Sequence, residues 1–222
     1  MKPEKPHLSP AESTEAAITL IAGELQDSLG REQVESILLD LYAGEFEIAC
    51  DSLIYSLSEV LPELSEEQAY LLEQLDPTIL EADAIEELRT LISLVPRQQY
   101  SIDASALDVP LHLSHMLMRH YSEISLQSSQ AIITLISSKE YARATIITAQ
   151  LLVDCDCPVY SLDIQQLTWL TDILELNPDQ LKMIENTWDD QKRNRRKYLP
   201  GTRGHLYRNP RSWKGEGGPF DH

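Results

Sequence analysis

The 222-residue chain is 42% apolar, which allows one large domain or two small ones with an ordinary core, and 36 Asp and Glu against 18 Lys and Arg leave a net charge of −18. Most of such a surface repels nucleic-acid phosphates and anionic lipid heads, so direct nucleic-acid binding by the body of the protein is not expected. The opening MKPEKPHLSP has no apolar h-region, no run of about 18 apolar residues occurs, and three cysteines are too few for a disulfide framework, so a cytoplasmic protein without a membrane span is expected.

Ser9-Pro10-Ala11-Glu12 supplies an N-cap, a proline at the first helical position and a capping-box glutamate, which predicts a first helix from about Pro10 to Leu29. Its apolar positions Ile18, Ile21, Ala22, Leu25 and Leu29 keep helical spacing, and Gly30 stops it. Val34, Ile37, Leu38 and Leu41 form the stripe of a second helix ending at Ala43-Gly44. A third helix places Phe46, Ala49, Cys50, Leu53, Ile54, Leu57, Val60 and Leu61 on one face, with Glu47, Asp51 and Glu59 mostly opposite, and Pro62 marks its end. Ser65 and Gln68 form the capping box of a fourth helix facing inward through Leu71, Leu72 and Leu75. Asp76-Pro77 starts a fifth, with Leu80, Ala84, Leu88, Leu91, Ile92 and Val95 as its apolar set.

The same order of caps, breakers and stripes then returns. Leu113, Met116, Leu117, Tyr121 and Ile124 stand for the first helix, and Ile132, Ile133 and Ile136 for the second. Ser137-Ser138 replaces Ala43-Gly44, and at an offset of 95 Ile37, Glu45, Phe46 and Ala49 meet Ile132, Glu140, Tyr141 and Ala144. After a three-residue insertion the Ser65 cap is matched by Asp163, and after three more Asp76-Pro77 by Asn177-Pro178. The fold expected is all-α, about ten helices in two tandem five-helix repeats packed together. Residues 1–9 read as a flexible N-terminus, 10–96 as an acidic first repeat, 97–109 as a linker, 110–196 as the second repeat and 197–222 as a basic irregular tail. The helix at Glu140–Val153 is apolar almost all round, which puts it either at the interface between the copies or in a fatter second core.

Charge is uneven along the chain. Residues 1–100 hold 21 acidic and 5 basic side chains, whereas 176–222 hold 6 and 10. Glu35 and Asp40 on the second helix, with Glu45, Glu47, Asp51 and Glu59 on the third, are the carboxylates expected to meet a partner, Glu47 and Asp51 standing one turn apart on one face. Since a basic protein that grips phosphate must be positive at its site, a fixed array of carboxylates competes for that site and steers association.

The run LGREQVESILLDLYAGEFEIACDSLIYSLSEVLPELSEEQAYLLEQLDPTIL resembles the MafI-type immunity proteins, small acidic helical proteins encoded beside polymorphic bacterial toxins. The likeness lies in the Gly-acidic-aromatic joint at Ala43 to Phe46, the long amphipathic helix after it and the LSEEQ start of the next. It covers residues 14–95 and, more faintly, 111–190. It implies tight binding to a cognate toxin domain, often a nuclease, in the cell that makes it; the duplication and the basic tail lie outside the family pattern.

Catalysis is not expected, because no Gly-rich phosphate loop, H-E-x-x-H or G-x-S-x-G motif occurs. Nor is a cofactor or metal. His112 and His115 are three apart on a helix, His120 follows, and Cys155-Asp156-Cys157 sits in a later loop region, but one residue between paired ligands suits zinc poorly, and His112 reads as a surface or helix-start histidine. Cys50, on a core stripe, reads as a small apolar filler. The tail's five Gly beyond Pro200 and its Pro210 and Pro219 oppose regular structure, though Leu206, Tyr207, Trp213 and Phe220 make it more apolar than a plain linker. It is expected to be disordered in isolation, or else to adhere to an acidic surface. The alternative to an inhibitor is a helical-repeat adaptor that docks a partner through its surface or this tail.

Overall fold

Ser9 opens the first helix as its neighbours predict: its Oγ accepts from the Glu12 backbone N–H at 3.3 Å, and the Glu12 carboxylate accepts from the Ser9 N–H at 2.8 Å. In the computed structural model, which describes residues 4–95, 104–180 and 182–198, this helix, α1, spans Pro10–Glu24. It ends earlier than predicted, since Leu25 departs from helical geometry and α2 is a single turn, Gln26–Leu29. Helices α3 (Arg31–Ala43) and α4 (Phe46–Val60) form a hairpin, followed by α5 (Glu66–Glu73), a 3₁₀ turn (Pro77–Ile79) and α6 (Ala82–Ser93). A 3₁₀ turn at Ala104–Leu107 leads into α7 (Asp108–Arg119), so the stretch expected as linker is helical where it is described; 97–103 lie outside the described residues. Next come α8 (Leu126–Ser137), α9 (Tyr141–Asp154), α10 (Ser161–Ile173), a 3₁₀ turn (Pro178–Gln180) and α11 (Lys182–Tyr198). The fold is all-α, with no strand among the described residues, and no helix there is long and apolar enough to cross a membrane. Residues 199–222, with the expected irregular tail, lie outside the described residues.

The predicted stripes face inward. Val34, Ile37, Leu38 and Leu41 of α3, Ala49, Cys50, Leu53, Ile54 and Leu57 of α4, and Ile132, Ile133 and Ile136 of α8 are all buried in one apolar cluster that includes residues of both halves. Two positions assigned to the α4 stripe are corrected: Val60 and Leu61 are 45% and 58% exposed. Leu61 takes a left-handed backbone (φ 50°), and this turns the chain out of the helix one residue before Pro62.

Element boundaries recur at an offset of 95. Helix α1 ends at Glu24 and α7 at Arg119; α3 and α8 begin at Arg31 and Leu126, α4 and α9 at Phe46 and Tyr141. The joint between α8 and α9 differs from the expected equivalence, because the residue in the place of Gly44 (φ 85°) is Lys139 (φ 59°) and not Ser138. The backbone bonds closing the two joints match: Glu45 N–H to Asp40 C=O at 2.9 Å and Glu140 N–H to Leu135 C=O at 2.8 Å. The expected insertion before α10 is also absent. Helix α10 follows Tyr160, 95 residues after the Ser65 cap, and Asp163 sits at its third position, where it accepts from the Tyr160 N–H at 2.8 Å. Asp76 and Asn177 do play one role, each side chain accepting from the backbone N–H two residues on to start a 3₁₀ turn.

Of the two places that the apolar sequence of α9 allowed, the structure gives the fuller second core, and the contact between the halves is made by α1 and α7 instead. Helices α1 and α7 pack along one another, each crosses the opposite half's hairpin, α1 against α8 and α7 against α3, and α9 is covered by α7, α8, α10 and α11. Ten consecutive residues of α1, Thr14 to Gly23, are buried. At Gly23 this requires a missing side chain, since a Cβ would lie 2.3 Å from Ile133 Cδ1.

Candidate interaction surface and a buried polar network

Helix α4 presents two faces, and the expected partner-binding carboxylates do not share one. Glu45, Glu47 and Glu59 are exposed; Glu35 and Asp40 on α3 are half-buried, with Glu35 paired to Arg31 at 2.9 Å. Asp51 is corrected. It is only 9% exposed and turns toward the start of α6, where it accepts from the Glu81 N–H at 3.4 Å. Burial, and then the charge of Glu47 one turn away, hold its carboxyl above the usual range.

Sequence reasoning missed the apolar side chains among these acids. Of the eight large apolar residues left exposed among the described residues, six belong to α3, α4 and the α4 cap: Leu39, Tyr42, Ile48, Tyr55, Val60 and Leu61. Ile48 and Tyr55 stand two turns apart with Ser52 between and Glu59 beyond, a helical row on the solvent side of α4. Glu81 and Asp83, at the start of α6, lie close to Tyr55. Partial burial and the charges of Glu81, Asp51 and Asp83 push its phenol up. The missed signal was present in the sequence as Leu39, Tyr42, Ile48 and Tyr55 lying off the two apolar stripes.

At the positions 95 residues on, the side chains change character. Arg143 replaces Ile48, Gln150 replaces Tyr55 and Ala142 replaces Glu47. The acidic and apolar face is thus built once.

The three histidines of α7 and its C-cap are interior, which corrects the surface reading of His112: it is 2% exposed, and His115 and His120 are equally enclosed. They belong to a polar network joining α7 to α10. The Arg119 guanidinium donates to the Asp163 carboxylate, to His115 Nδ1 at 2.9 Å and to Gln166 Oε1 at 3.2 Å. Gln166 Nε2 donates to His112 Nδ1 at 3.0 Å, and His120 Nε2 donates to Asp163 Oδ2 at 3.1 Å. His112 lies against Trp169 with ring centroids 4.8 Å apart. Because arginine and an amide nitrogen can only donate, Nδ1 of His112 and His115 must be the acceptor, which fixes both tautomers. Burial raises the Asp163 carboxyl, but the His120 bond and the Arg119 charge outweigh it and hold the carboxyl below the usual range. Burial, with Arg119 adding in the case of His115, lowers His112 to about 4 and His115 to about 3, so both are neutral at pH 7.

Chemically, this network fastens two helices. It has no counterpart of the same charge in the first half, where Glu24 and Gln68, the equivalents of Arg119 and Asp163, are joined by a Gln68 Nε2 to Glu24 Oε2 bond of 2.8 Å. Among the described residues no three His, Cys, Asp or Glu side chains converge so as to hold a metal ion. Cys50 and Cys157 are buried, and burial pushes both thiols up to about 12, away from thiolate character at pH 7. Compared with family models, curated proteins and solved structures, the chain matches none of them.

Proposed function

We propose that the chain is a non-catalytic inhibitor that binds a basic partner protein through the solvent side of α3 and α4. The observation that carries this reading is the gathering of six exposed large apolar side chains among the carboxylates of the acidic half. A solvated helix face needs charge but not Ile48 or Tyr55, whereas a protein interface needs apolar anchors ringed by polar groups. Glu45, Glu47 and Glu59 supply the steering charge, and Ile48 and Tyr55 the contact that holds. The resemblance to MafI-type immunity proteins extends the reading to a cognate toxin domain, a nuclease being the natural case for an acidic decoy, met in the cytoplasm of the producing bacterium.

The test begins with the protein bound to the tagged chain in its native host, followed by co-expression of that protein's toxic domain with and without the chain. Protection of growth supports inhibition. In purified components, Glu45→Lys with Glu47→Lys should slow association at least tenfold at 25 mM salt and have little effect at 250 mM, while Tyr55→Ala should speed dissociation. A partner without a basic surface, or rates untouched by all three changes, would overturn the reading.

A further inference from the structure

Beside the α4 face lies a groove that the predicted stripes treated as plain core. Leu75 and Leu80 form one end, and Ile85, Leu88, Ile92 and Val95 line it along α6, enclosing about 700 Å³ open to solvent, with Glu73 and Arg89 also lining it. Helix α6 has 12 residues, about 18 Å of length at 1.5 Å per residue, enough to carry two to three turns of another helix. The groove adjoins the face already described: Leu80 belongs to it, and the next residue, Glu81, meets Asp51 through its N–H and lies beside Tyr55.

We infer that this groove seats a basic amphipathic helix of the partner, its apolar side entering between Leu75 and Ile92 and its basic side meeting the acids around it. The inference rests on the inhibitor reading and adds to it what the partner must carry. Charge selects the occupant. The lining itself balances one acid, Glu73, against one base, Arg89, but it lies in the half where residues 1–100 hold 21 acidic and 5 basic side chains, so the field there repels a second copy of this half or an acidic helix and draws in a basic one. Shape selects the mode, since spaced apolar positions on a helix match a channel walled by helical side chains.

The probe is an 18-residue peptide of Leu and Lys only, with Leu at helical i, i+3, i+4, i+7 spacing, titrated into the isotope-labelled full-length chain and followed by NMR. A peptide of the same composition with the spacing permuted is the control. Expected are saturable shifts at the Leu75, Ile85 and Ile92 methyls, binding at least tenfold tighter than the control, and a tenfold loss on Ile92→Lys. Since Ile92→Lys risks disturbing α6, Ser93→Lys, at an exposed lining position, should give a comparable loss with the spectrum otherwise unchanged. If both peptides bind alike and the shifts fall on Glu45, Glu47 and Glu59, the groove assignment falls while the acidic-face reading stands. NOEs from the Ile85 and Ile92 methyls to residues of the chain outside the groove lining, seen before any probe is added, would assign the groove to the chain itself and overturn the inference.

Discussion

Burying His112 and His115 commits the folded chain to keeping them uncharged. In the unfolded chain they titrate near 6.5, whereas folded His112 does so at about 4 and His115 at about 3. Their stabilisation is therefore complete above about pH 6.5 and is lost as the pH falls toward 4, because the unfolded state takes up protons that the folded state refuses. Each such group costs about 1.4 kcal/mol per pH unit in that window. Urea unfolding between pH 7 and 4.5 should show stability falling, and His112→Gln should flatten the slope by about one histidine's share. Asp163 adds a second loss lower down, since its depressed carboxyl contributes above its ordinary pKa and gives way only as the pH drops through its folded one. None of this was readable from local sequence. His112 and Gln166 lie 54 positions apart, and helical spacing places His112 beside the inward Leu113 on α7 without showing that α10 arrives to bury both.

The helices and their order were largely legible from caps and stripes, because Ser9, Ser65 and the glycines act within a few residues of themselves. The errors fell where a local rule met a tertiary constraint. At the α8–α9 joint the left-handed turn passed to a lysine, and steric cost identifies the position that the spelling of the sequence hides. Lys139→Gly should raise stability by about 0.5–1 kcal/mol despite losing the exposed bond to Glu67, while Gly44→Ala at the matching turn should lower it by about 1 kcal/mol, both by chemical denaturation. Gly23 follows the opposite logic. Alanine favours a helix interior by about 1 kcal/mol, yet here the new methyl strikes Ile133 at an overpacking cost of about 1–3 kcal/mol, so Gly23→Ala should cost up to about 2 kcal/mol net. Ile133→Val removes the Cδ1 that lies closest and should recover part of that loss in the double variant.

Across the whole molecule the excess of carboxylates opposes compaction. Raising salt from 0.02 to 0.3 M should increase the melting temperature by several degrees through screening of self-repulsion, and a fall would show that ion pairs such as Lys139 to Glu67 outweigh it. The candidate surface was half legible: composition by segment located the acidic half, but Asp51 was misassigned because a helical wheel cannot see α6 arriving beside it. The groove escaped because its residues obey the same periodicity as true core, and only the space left beside them distinguishes the two.

That α1 finds its cover on α7 has a consequence for biosynthesis. About 95 residues must be translated after the first helix before its counterpart exists, on the order of ten seconds at ordinary ribosomal rates. During that interval Ile18 and Ile21 have no final resting place, and the nascent chain is a natural client for a chaperone. The hairpins can close early as each emerges, but the last act of maturation must wait until the middle of the message has been read.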